Sequence, residues 1–132
     1  MRETIKGKRF EELLERADTA LSEKYYVESI TLYYAFIEER MISLFNRLGY
    51  TLNKKQKLWY CIDQLKKLKI ETFFSSTLLH ELDVWREERN DVIHDYAKED
   101  IPYSNLEKTA ETGKRLGRDL SAAIMRHKKS LK

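Results

Sequence analysis

Between Tyr25 and Leu48 the chain places a large apolar residue at every third or fourth position: Tyr26, Ile30, Tyr33, Ile37, Met41, Leu44 and Leu48. That spacing follows a turn of about 3.6 residues; a strand cannot keep it, because strand side chains alternate with a period of two. A second row, Val27, Tyr34, Met41 and Leu48, widens the apolar face. A helix with so broad a face needs cover on several sides, so it predicts the centre of a helical core. Gly49 marks its end as the residue suited to a left-handed cap, with Arg47 in the last turn and Tyr50 placed for the capping contact.

The flanking segments read the same way. One Pro and four Gly in 132 residues leave few breakers, which favours long helices over many short strands. A first helix is predicted over 9–21, with Phe10, Leu13, Leu14, Ala17 and Leu21 on one face, and Ser22-Glu23-Lys24 as the break. Asn53 is a suitable N-cap for a third helix reaching about Leu68, with Leu58, Cys61, Ile62, Leu65 and Leu68 in a row. Ser75 or Ser76 caps a fourth, running to about Ala97 and stopped by Glu99-Asp100-Ile101-Pro102. Ser104 and Glu107 have the spacing of a capping box for the last helix. Its buried line is Leu106, Ala110, Gly113, Gly117, Leu120 and Ile124, where the small residues let another helix approach closely. The expected fold class is all-α, a single-domain bundle of about five helices over 1–132.

Several functions are disfavoured by composition and spacing. No apolar run approaches the ~18 residues of a membrane span, and the N-terminus lacks a signal-peptide core, so no membrane partner and a cytoplasmic location are expected. One Cys cannot form an internal disulfide, and Cys61 reads as a small buried hydrophobe. His80-Glu81 lacks the second His of a zinc-protease helix, and Asp91 with His94 makes only half of a di-iron pattern, so no metal and no cofactor are expected. The tyrosines at helical spacing read as core residues with hydroxyls at the rim rather than stacking platforms. His127, in the tail run RHKK, is expected to be solvated.

The net charge of +3 is unevenly spread. Lys54, Lys55, Lys57, Lys66, Lys67 and Lys69 crowd the third helix region, and Lys114, Arg115, Arg118, Arg126, Lys128, Lys129 and Lys132 the last. Residues 81–100 are acidic. Basic patches flanking an acidic helix suit a polyanion such as RNA if that helix turns its acids away, and otherwise serve as solubilising faces.

The fourth helix holds the conflict that points to function. Leu78, Leu82, Trp85, Arg89, Val92 and Tyr96 fall on one line, an apolar stripe interrupted by a guanidinium. Arg is seldom buried without a partner, so Arg89 needs either a local partner or a cleft that takes a cation. Arg86 lies beside the stripe, Asn90 and His94 stack along one shoulder, and Asp83, Glu87 and Asp91 are expected on the opposite, wet side.

The run Arg89-Asn90-Asp91-Val92-Ile93-His94-Asp95-Tyr96, near the end of a helix in a small helical protein, resembles the motif of the HEPN family of ribonucleases. With Tyr two residues after His, it looks like the HEPN toxins that pair with a minimal nucleotidyltransferase antitoxin. Shuffled chains of this composition would show the Arg, His and Tyr spacing only about 0.01 times. The resemblance implies a homodimer in which two motif helices form one cleft, and a metal-independent endoribonuclease. It implies Arg89, Asn90 and His94 as catalytic residues and Tyr96 as the position where an antitoxin attaches adenylate.

The residues give separate reasons for two copies. Cleavage through the 2′-OH needs a base for its proton and an acid for the departing 5′-oxygen, and one chain offers a single His in place. Arg89 would stabilise charge on the phosphorane, Asn90 would orient the phosphate or His94, and Arg86 would help bind the RNA backbone. The alternatives are a non-catalytic HEPN-like module that dimerises or binds nucleotide, and a plain helical adaptor. In both, His94 is simply solvated beside Glu87 and Asp91.

Overall fold

The structure, a computed structural model, describes residues 5–50, 58–68 and 74–130. Every regular element among them is helical: α1 (Ile5–Ser22), α2 (Tyr26–Arg47), α3 (Leu58–Leu68), α4 (Ser76–Ala97), a 3-10 turn (Tyr103–Asn105) and α5 (Leu106–Ser130). The all-α bundle of five helices is therefore what the protein forms. No described helix is long and apolar enough to cross a membrane.

α2 is the hub. It packs against each of the other four helices, and α4 and α5 close the far side. Its row Ile30, Tyr33, Ile37, Met41 and Leu44 is wholly buried, and Val27, Tyr34 and Leu48 lie half-buried against the same core. Each fully buried Leu, Ile or Phe contributes about 1.5–3 kcal/mol from burial, so these turns are where the fold draws its stability. One cluster runs unbroken from Ala17 on α1 to Ile124 on α5.

The helix ends obey local rules. At the end of α2, Tyr50 N–H donates to Phe45 and Gly49 N–H to Asn46, with Gly49 at φ 94°. That is the cap expected of this glycine, and Tyr50 also sets its ring against Phe45. The same paired bonds end α1 and α4, but there Lys24 (φ 67°) and Glu99 (φ 63°) take the left-handed position. The Ser75 side chain accepts from Leu78 N–H and caps α4. α1 begins at Ile5, earlier than the apolar pattern indicates. Asn53, the expected cap of α3, lies outside the described residues.

Two expectations fail. Ser104 sits inside the 3-10 turn and makes no capping bond, so there is no Ser104–Glu107 box. The Glu107 carboxylate instead lies near the Tyr26 hydroxyl, whose pKa is raised by burial and by that charge. The turn stops α2 from the other side: the Tyr103 hydroxyl accepts from Tyr26 N–H at 2.7 Å and Val27 N–H at 3.4 Å. His127 is buried, not solvated, with its ring 6.2 Å from that of Phe74. α5 continues to Ser130, which leaves His127 on the same buried line as Leu120 and Ile124.

α4 is held to α5 by its indole. Trp85 Nε1–H donates to the Thr109 carbonyl at 2.9 Å, and the Thr109 hydroxyl donates to Glu88. Gly113 faces that indole so closely that a side chain there has no room. Beyond Arg89 the cover ends. Val92 and Ile93 are half-buried, and every other residue from Asn90 to Lys98 is exposed.

Candidate active site

The interrupted stripe of α4 is built as its pattern indicates up to Arg89: Leu78, Leu82 and Trp85 are buried and Arg89 is half-buried. The guanidinium carbon of Arg89 sits 3.7 Å from the centroid of the Tyr34 ring, and Tyr34 in turn leans on Trp85 with centroids 6.1 Å apart. Arg89 Nη2–H donates to Asn90 Oδ1 at 2.8 Å, while its Nε is sealed from solvent with no hydrogen-bond partner. The cation therefore has a local answer to its burial, an aromatic face, worth about 0.5–2 kcal/mol. That answer does not neutralise it.

Tyr34 is the residue the sequence reading missed. Its place in the second row of α2, one helix away from an unpaired Arg, was the available signal. Burial raises its pKa, the Glu38 carboxylate adds to the rise, and Arg89 and Arg86 oppose it. The same Glu38 acts on Cys61, whose thiol is pushed up to about 11, first by burial and then by that charge. Cys61 is accordingly a buried thiol and no nucleophile at neutral pH.

Arg86 is engaged. Its Nε and Nη2 donate to Asp83 Oδ1, and Nη2 also reaches Glu87 at 3.3 Å. Lys66 of α3 approaches the same Asp83 at 3.8 Å. Asp83 thus belongs to the α3-facing shoulder of α4, the Asn90 side, and not to an opposite wet face as expected. Of the basic groups on α5, Arg115 pairs with Glu81 and Asp119, and Arg118 with Asp18.

Asn90 and His94 are exposed. α4 is regular through Ala97, so His94 stands about 7.5 Å along the axis from Arg89 and about 140° around it. One chain holds the guanidinium on its inner side and the imidazole on its outer side. Glu87 lies within about 20° of the His94 direction, two turns earlier, so the acids are turned away from Arg89 but not from His94. Tyr96 is 37% exposed and packs on the capping residue Tyr103, with centroids 5.2 Å apart, on the side away from His94. Among the described residues no group of three or more His, Cys, Asp or Glu is gathered as metal ligands would be.

The structure joins Arg89 to Asn90, ties Arg86 to Asp83 and Glu87, leaves His94 alone, and ties Tyr96 to a structural contact. In comparisons with family models, curated proteins and solved structures, nothing matches this chain.

Proposed function

We propose that the chain is a metal-independent endoribonuclease that works as a homodimer, with α4 of each copy forming half of one cleft. The observation that carries this is the division of α4. Arg89 is held between Tyr34 and Asn90, whereas His94 stands exposed on the outer face of the same helix. 2′-OH attack requires a base and an acid and gains from a held cation; a two-fold axis beside α4 would bring two imidazoles to the Arg89 cations.

In that dimer His94 of one chain takes the 2′-OH proton and His94 of the partner subunit protonates the departing 5′-oxygen. Arg89 neutralises the charge gathering on the phosphorane, and Asn90, already fixed to Arg89, orients a phosphate oxygen. Products would be a 2′,3′-cyclic phosphate and a 5′-hydroxyl, and DNA would be inert because it lacks the attacking group. The likeness of Arg89 to Tyr96 to the HEPN toxin motif supports the same reading. It also points to a nucleotidyltransferase antitoxin as a partner, acting on Tyr96, whose partial exposure leaves room for adenylation.

A second reading has its own observation. Arg89 is accommodated inside the chain by Tyr34, and Arg86 by Asp83 and Glu87. The motif could then serve architecture in a non-catalytic dimerisation or nucleotide-binding module. Incubating the protein with total RNA in EDTA, beside His94→Ala, separates the two. Cleavage that the variant lacks supports the ribonuclease; intact RNA in both supports the module.

A further inference from the structure

The chain has two tryptophans with opposite fates. Trp85 is buried in the core, and Trp59, in the first turn of α3, is 50% exposed. An indole left half in water on a packed helix calls for an explanation, and its position supplies one.

Trp59 and Lys66 are seven residues apart, so they share one shoulder of α3, within about 20°. Lys66 reaches Asp83, so that shoulder faces α4. Asp83 and Asn90 are likewise seven apart and share the facing shoulder of α4. α3 and α4 are successive helices that pack on each other, and the few residues between them in the sequence imply an antiparallel pair. Going back seven residues from Lys66 and forward seven from Asp83 covers the same rise, about 10.5 Å. Trp59 is thereby brought level with Asn90.

The electrostatics agree with that placement. The charge of Glu38 is felt both by Cys61, two residues after Trp59, and by Tyr34, the ring under Arg89. Glu38 of α2 therefore lies near both the first turn of α3 and the ring under Arg89.

We infer that Trp59 is a stacking platform for an unpaired base of the RNA substrate, next to the phosphate held by Arg89 and Asn90. This rests on the ribonuclease reading and adds a substrate class to it: single strands and loops, whose bases can leave a stack, rather than duplexes. Among the described residues the charges named on this edge are matched, Lys66 and Arg86 with Asp83, Arg86 also with Glu87, and Lys67 with Asp63. The π face of Trp59 then offers a sequence-tolerant attraction beside Arg89.

The test uses the fluorescence of the full chain, in which Trp85 is shielded and Trp59 responds. A 2′-O-methyl RNA octamer, which cannot be cleaved through its 2′-oxygen, is titrated as a single strand and as a duplex. The single strand should quench emission saturably and the duplex should not. The anisotropy of the same octamer carrying a 5′ fluorescein reads the affinity of variants that lack this indole: Trp59→Phe should retain most of it, and Trp59→Ala should weaken it about tenfold or more. With cleavable RNA, Trp59→Ala should raise KM and leave kcat unchanged, because stacking is the same in ground and transition states.

Unmoved emission, equal quenching by duplex, or wild-type affinity in Trp59→Ala would overturn the platform. So would a blue shift that follows protein concentration without RNA, which would mean that another copy covers Trp59. Because the octamer is uncleavable, a chain that binds it through Trp59 but leaves total RNA intact refutes the catalytic reading alone.

Discussion

Replacing Gly113 by Ala should destabilise the protein, and the amount follows from its neighbours. A Cβ there would lie 2.6 Å from Trp85 Cζ2, 3.2 Å from Trp85 Cε2 and 3.3 Å from Tyr33 Cβ. None of these atoms can yield easily. The indole is 1% exposed and tethered to the Thr109 carbonyl, and Tyr33 is fully buried with its hydroxyl bonded to Asp18. Overpacking of this kind costs about 1–3 kcal/mol, here at the upper end. Ala recovers about 1 kcal/mol of helix propensity over Gly. The net loss is about 1–2 kcal/mol.

Gly117 is the control one turn on. Its added Cβ meets Phe36 and Ile37 at 3.4–3.8 Å, ordinary contact, so Gly117→Ala should stabilise by up to about 1 kcal/mol. Urea unfolding followed by circular dichroism gives both values, and Tm should move by about 4 °C per kcal/mol for a chain of this length. A Gly113→Ala variant as stable as the parent would refute the close Trp85 contact. It would also loosen the account of Arg89, since Trp85 backs Tyr34 and Tyr34 backs the guanidinium.

Two further outcomes are expected. Tyr103→Phe removes the acceptor for the first N–H groups of α2 and should cost about 1 kcal/mol in urea unfolding, as loss of a helix cap does; an unchanged midpoint would mean that water replaces it fully. Cys61 binds its proton more tightly folded, at about 11, than unfolded, at 9.0, so it has no effect below 9 and destabilises the native state as pH rises beyond it. Cys61→Ala should flatten that part of the stability profile, and Ellman's reagent at pH 8 should react quickly only with unfolded chains. Tyr33, raised first by burial and then by Asp18, keeps a slope of the same sign above 10 in both proteins.

What could be read in advance was whatever depends on near neighbours in the chain. The rows of α2 and α5, the Gly49 cap and the Ser75 cap are all settled within a turn or two. Lys24 and Glu99 in left-handed positions were not legible, because nothing about Lys or Glu announces that conformation; only the breaks were visible. The Tyr103 cap joins residues 77 positions apart, and no local pattern encodes it. His127 could have been found, since it continues the buried line of α5 by three and seven residues, but its basic neighbours suggested a solvated tail. At the site, an Arg on an apolar stripe stated the problem correctly. Its solution, the face of Tyr34, required the packing of α2 against α4. Asp83, by contrast, could have been placed from the sequence, since it lies seven residues before Asn90 and so on the same shoulder of α4.

The proposal that each α4 carries half a site is tested most directly with mixed dimers. Tagged wild-type and His94→Ala chains are combined, the heterodimer is isolated, and single-turnover cleavage of a short RNA is followed across neutral pH. If one His94 is base and the other acid, the heterodimer should retain far less than half of the wild-type rate. The wild-type profile should be bell-shaped, with limbs that belong to the coupled pair. Arg89→Lys should lower that profile without moving its limbs, because the positive charge is kept while the planar fork of donors is lost. A heterodimer that keeps half the activity, with a single-limbed profile, would contradict the shared cleft and put one histidine in each of two separate sites.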